Sequence, residues 1–297
     1  MFHIKSDSTI YSFCEANSPA LTVPSGSRVV METLDCFSNQ LKTPEDKMAE
    51  LDWNKTNPAT GPVYIEGAQP GDTLKVTVEK IELADRGVAV CGEGMGTLGH
   101  ILTGSHTRII EVSNGSADFS SELKIPVSPM IGVIGVAPAG GEAINNGTPG
   151  HHGGNMDNKM ITEGAILYFP VSVEGAGFAL GDVHAVMGDG EIGVTGLEIP
   201  ANVTVKLDVI KNRCYSEPVL ENSDCWSVIV SRDTLDAAAA DATEVMFRFL
   251  KERMDMEDPE ITMLMSLAAQ LQICQIVDPL KTVRFVISKD YTGNIDF

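Results

Sequence analysis

At 297 residues and 43% hydrophobic, the chain is too apolar for disorder and long enough for two or three packed subdomains. Its net charge of −20 and pI near 4.5 argue against nucleic acid or an anionic membrane as partner. That field favours cations and neutral or cationic substrates, although most of it serves solubility.

The N-terminal MFHIKSDSTIYSF lacks the basic start and apolar run of a signal peptide. No apolar stretch approaches the ~18 residues that span a bilayer. Six scattered cysteines form no CxxC pair, so they are expected as free thiols in a reducing cytoplasm. In TLDCF, Asp35 sits between apolar neighbours. It caps a turn or, if buried, needs a counter-charge or a metal.

The first two-thirds read as β. VYIEG runs into QPGD, a Pro-Gly turn, and TLKVTVEKIEL then alternates with one slip near Glu79 and Lys80. HTRIIEV and LKIPV are further short strands. AILYFPVSV suits a strand buried on both faces, and VTVKLDVI alternates again. In TPGHHGGNMDNK, Asn155 and Asp157 are two apart and can project together. The N–H groups of Gly153 and Gly154 are candidates for an oxyanion, and His152 is a candidate metal ligand.

In GDVHAVMGDGEIGVTG, Asp182 and His184 share one strand face, with Val183 and Ala185 on the other. Asp189-Gly190 is a hairpin signal. A two-residue loop brings Glu191 to the face of Asp182 and His184, whereas a three-residue loop turns it away. One imidazole with two carboxylates is a mixed ligand set that suits zinc or a similar divalent ion.

Beyond Ser231 the pattern becomes helical. DTLDAAAADATEVMFRFLKERM has an acidic start, an alanine-rich body and a basic end. DPEITMLMSLAAQLQICQIV predicts a second helix, with Asp258 as N-cap, Pro259 in its first turn and an apolar stripe in the core. KTVRFVIS is a last strand. The expected architecture is mainly β, a sandwich- or barrel-like body with a small C-terminal α/β unit containing two helices. Its expected divisions are residues 1–125, 126–210 and 211–297, the second carrying the metal-site loop and hairpin.

The order of these segments resembles the acetamidase/formamidase family: an early DC dipeptide, GPVYIEGAQPGD, GGNMD, GDVHAVMGDGE and a two-helix C-terminal unit. The resemblance covers nearly the whole chain, and GGNMD and GDGE are its specific parts. It implies a mainly β enzyme that hydrolyses the C–N bond of small amides with a divalent metal. By matching motif it makes Asp35, Asn155, Asp157, Asp182, His184 and Glu191 metal-site candidates, together with His152, which precedes GGN. Zinc is the first expectation, with calcium or magnesium as alternatives for an oxygen-rich set. Glu191 is expected as the general base, with Asp157 in reserve. Phe178 or Met187 is expected to line a small pocket. The expected partners are a small neutral amide and a second copy of the chain. A lactam substrate, or a structural cation without catalysis, is the alternative reading.

Overall fold

The computed structural model describes residues 1–293, 295 and 297. Strands dominate it. Thr73–Leu83 buries Leu74, Val76 and Val78, then slips by one residue so that Ile81 takes the next buried place. The slip is a bulge: Val205 pairs with Val78 but Thr204 pairs with Lys80, which leaves Glu79 out of register. Ala201–Ile210 runs antiparallel to this strand, and Ser27–Thr33 lies on its far edge.

These strands belong to a nine-stranded sheet. It continues through Ile166–Pro170, Val219–Glu221, Cys225–Arg232 and Lys281–Ser288 to an edge strand at Gln270–Gln275. A six-stranded sheet holds Gly153–Asn155, Met130–Gly135, Phe178–His184 and Ala59–Glu66. Inward residues of both sheets, such as Val76, Val203, Ile65, Ile134 and Leu180, form one apolar core. Each fully buried aliphatic side chain there contributes about 1.5–3 kcal/mol. HTRIIEV lies within Ser105–Ser113, part of a four-stranded sheet that also takes in Lys124–Pro126.

Ile166–Pro170 separates two cores. Leu167 and Phe169 face the main one, while Tyr168 joins a second built from Trp226, Val228, Phe249 and Phe285. That is why the segment reads as apolar without alternation. Helix α1 (Leu235–Lys251) begins where the Thr234 hydroxyl accepts the N–H of Ala237, and Arg248 and Lys251 complement the dipole at its end.

Helix α2 (Asp258–Ala268) departs from the sequence expectation in three ways. Its N-cap is Glu257, in a reciprocal capping box with Glu260, so Asp258 is already helical. It stops at Ala268, and Gln270–Gln275 is a strand paired with Lys281–Ser288. There Leu271 and Ile273 alternate with glutamines, the period of a strand, and the sheet edge accepts them. Its apolar stripe is also only half core: Ile261 and Met265 are buried, but Met263 and Leu267 are 56% and 86% exposed. Among the described residues no helix is long and apolar enough to cross a membrane.

Candidate metal centre

Phe178–His184 carries two acid–base residues into the interior. Its core-facing positions step from Phe178 and Leu180 to Val183 and Ala185, so the alternation slips at Asp182, whose φ is +53°. The slip keeps Asp182 and His184 together, with His184 Nε2 3.4 Å from Asp182 Oδ1. Asp157 and Glu191 are also left-handed, at φ +44° and +46°. Such backbone costs on the order of 1–3 kcal/mol per residue and concentrates where function requires it.

Glu191 does not arrive by the expected two-residue hairpin. The chain returns only at Leu197–Ile199, where Ala185 N–H donates to Leu197 O and Ile199 N–H to Val183 O. Asp189 is drawn into a salt bridge with Arg284, and Gly190 N–H donates to Cys274 O. These contacts outside the loop override the local turn preference. Glu191 is therefore placed by a long loop, and the returning segment brings in Glu198 opposite His184.

Two buried triads result. Donor atoms of Asp157, His184 and Glu191 lie within 4.8 Å of one another, as do those of Cys36, Asp182 and Glu198. His184 joins them: its Nε2 is 3.2 Å from Glu198 Oε2 and 3.9 Å from Asp157 Oδ1. Asn155 Nδ2 donates to Asp278 Oδ2 at 2.9 Å, and both line a cavity of about 180 Å³ that reaches Asp182, Glu191 and Glu198.

Other expected residues lie elsewhere. Asp35 caps a turn: its Oδ1 accepts the N–H groups of Phe37 and Asn39. Burial still pushes its carboxyl up to about 6. The neighbouring Cys36, not Asp35, enters a triad. His152 packs edge-on against Phe13 and is in neither triad, and burial lowers its pKa to about 4. Gly153 already donates its N–H to Gly150 O, so it is not available to an oxyanion. Phe178 points into the main core, and the cavity's apolar walls are Phe37, Trp53, Met95 and Val194, without Met187.

Sequence reasoning missed Cys36, Glu198 and Asp278. Glu198 had one usable signal, a single carboxylate between Leu197 and Ile199. Asp278 had none, because it reaches the site from the turn between Gln270–Gln275 and Lys281–Ser288, 123 residues from its partner Asn155.

The electrostatics call for a cation. Burial pushes the carboxyls of Asp157, Glu191 and Glu198 well above the ordinary range. Neighbouring acids add to it, Asp278 and Asp182 at Asp157, and Asp157 at Glu191. Burial opposes charge on His184, yet Glu198 and Asp182 hold its imidazole well above its usual value. Burial also opposes charge on Asp182, but His184 wins and holds that carboxyl low. One imidazolium cannot balance this many acids. Among the described residues, both Asp157 oxygens, His184 Nδ1 and Asn155 Oδ1 are buried without a hydrogen bond. Each such atom costs about 1–3 kcal/mol. A divalent cation would supply the missing charge and partners for the Asp157 oxygens, so the residues present fit one. Carboxylates with an imidazole and a thiol span the donor range of zinc.

Two glycines make room for the cluster. A Cβ on Gly132 would sit 2.5 Å from both Asp157 Oδ1 and Asp182 Oδ2, and one on Gly196 would sit 2.7 Å from His184 Nδ1. Gly132→Ala is expected to push those carboxylates apart and weaken cation affinity by about tenfold or more. Titration of the purified variant with zinc checks this, and unchanged affinity would show that the two acids do not share an ion.

The chain matches the acetamidase/formamidase family profile over residues 13–146 and 139–287. It is similar to the crystal structure of an acetamidase from Bacillus halodurans, at 43% identity and a TM-score of 0.96, over 99% of this chain and 100% of that one. It is also similar to a predicted acetamidase/formamidase from Thermoanaerobacter tengcongensis, at 45% identity and TM-score 0.95, over 98% of each chain. An acetamidase of Mycolicibacterium smegmatis is 26% identical over 68% of this chain. The chain spans 66% of that relative's length and 62% of the length of a Schizosaccharomyces pombe relative.

Proposed function

Since the chain belongs to the acetamidase/formamidase family, we propose that it hydrolyses the C–N bond of a small neutral amide, of the formamide or acetamide type, and releases ammonia. The observation that carries this reading is the convergence of Asp157, Asp182, His184 and Glu191, several of their donor atoms unpaired, beside a cavity of about 180 Å³ that Asp182 and Glu191 line.

Asp157, Asp182 and His184 would hold a divalent cation, with Cys36 and Glu198 completing the donor set. When bound, it would polarise the amide carbonyl and lower the pKa of a nearby water. Zinc suits the imidazole and thiol, while calcium or magnesium suits the carboxylates alone. Glu191 is the general base: its carboxylate takes the proton from the attacking water and hands it to the leaving nitrogen. Asn155 holds Asp278 at the cavity wall. Phe37, Trp53 and Met95 favour a short acyl group and exclude bulk. A neutral substrate is compatible with a chain of net charge −20. The six free cysteines support a reducing compartment.

Ammonia release decides the matter. Formamide and acetamide are expected to yield ammonia, a chelator to abolish it, and added zinc to restore it. Protein that binds a cation yet releases no ammonia from linear amides would have a structural ion instead. Turnover confined to lactams would move the substrate class.

A further inference from the structure

Arg284 is 2% exposed, yet it lies outside both triads. Its guanidinium forks onto Asp189, Nη1 to Oδ1 at 2.8 Å and Nη2 to Oδ2 at 2.7 Å. Nη1 also donates to Asn158 Oδ1 at 3.2 Å, and Nε to Gln272 Oε1 at 2.7 Å. Asn158 follows Asp157, and Asp189 precedes Glu191 by two residues. One buried side chain thus tethers both loops that end in strained, left-handed acids.

The strand beneath adds to the tether. Gly190 N–H donates to Cys274 O at 2.7 Å, and Ile276 N–H donates back to Gly190 O at 3.2 Å. Asp189 takes a second cation, Lys159 Nζ at 2.8 Å. Charge pairs that are even partly buried stabilise a fold weakly once desolvation is counted. A bidentate fork fixes direction as well as distance, which a lysine cannot reproduce.

We propose that Arg284 is a positioning residue: acting through Asp189 and Asn158, it holds Glu191 and Asp157 at the separation the reaction needs. The kinetic part rests on the amide-hydrolase reading, whereas the placement of the loops does not. The C-terminal unit is then part of the machinery, because Arg284 and Asp278 both come from it.

Arg284→Lys, Asp189→Asn and the double variant test this in the full-length, cation-loaded protein. Three quantities are read: hydrogen exchange over residues 187–193, cobalt(II) affinity from its d–d absorption, and kcat with KM. Both single variants are expected to speed loop exchange and weaken cobalt binding by about tenfold. They are expected to lower kcat up to about 100-fold with KM little changed. The double variant should be no worse than the worse single one, since both break the same tether. Asp189 is one-third exposed, so Asp189→Asn carries the test if Arg284→Lys fails to fold. Unchanged loop exchange in the folded variants overturns the proposal. So does faster exchange with kcat and cobalt affinity intact, which would leave Arg284 a stabilising ion pair only. Wild-type protein without amide turnover sinks the hydrolase reading instead, and loop exchange with cobalt affinity then decides on Arg284.

Discussion

Glu191→Gln is expected to keep the cation and lose about a thousandfold in kcat, within the range for removing a general base. The exchange preserves shape and hydrogen-bonding volume but removes the group that takes a proton. Glu191 stands in the same triad as Asp157 and His184, so the variant also separates two roles. If Glu191 moves the proton, metal content measured by elemental analysis stays near the wild-type ratio while turnover falls. If metal content falls in step with activity, Glu191 is a ligand. Activity that depends on its carboxylate form should rise with pH through the Glu191 pKa. Burial and Asp157 push that pKa upward in the cation-free protein and a bound cation opposes them, so the test is the presence of an acid limb and not its position. Loss of that limb in the variant's residual rate is the second sign of a base.

Removing the cation is expected to reverse how stability depends on pH. Unfolded carboxyls titrate near about 4. In the folded, cation-free protein, Asp157, Glu191, Glu198 and Asp278 keep their protons to higher pH, chiefly because burial disfavours their charge. His184 also holds its proton longer when folded. The folded state therefore binds more protons than the unfolded one above about pH 4, and stability falls as pH rises. Each extra proton contributes about 1.4 kcal/mol per pH unit within its window. Asp182, whose carboxyl is held low, contributes only below that range. Cation binding needs these groups deprotonated, so the loaded protein gains with rising pH instead. Thermal melts with and without chelator, at about pH 5.5 and 7.5, check the reversal. A chelated protein that melts higher at the upper pH would show that these acids are not crowded together without an ion.

What the sequence determined by itself was what a single strand can encode. The two-residue spacing of Asp182 and His184 does put them side by side, with Val183 and Ala185 in the core. The slip near Glu79 is a bulge, and the cap and charge pattern of α1 marks its ends. The order of GGNMD and GDGE was enough to indicate the family.

Tertiary structure alone decided the rest, because the deciding contacts join residues far apart in the chain. Asp189-Gly190 carries a strong turn signal, but Arg284, 95 residues away, draws Asp189 into a loop instead. Cys36, Glu198 and Asp278 reach the cluster from three separate segments, and Gly132 makes room that no local pattern reveals. Periodicity reports which face of its own element a side chain occupies. It does not report what a distant element lays against that face, and a buried cation site is made of such meetings.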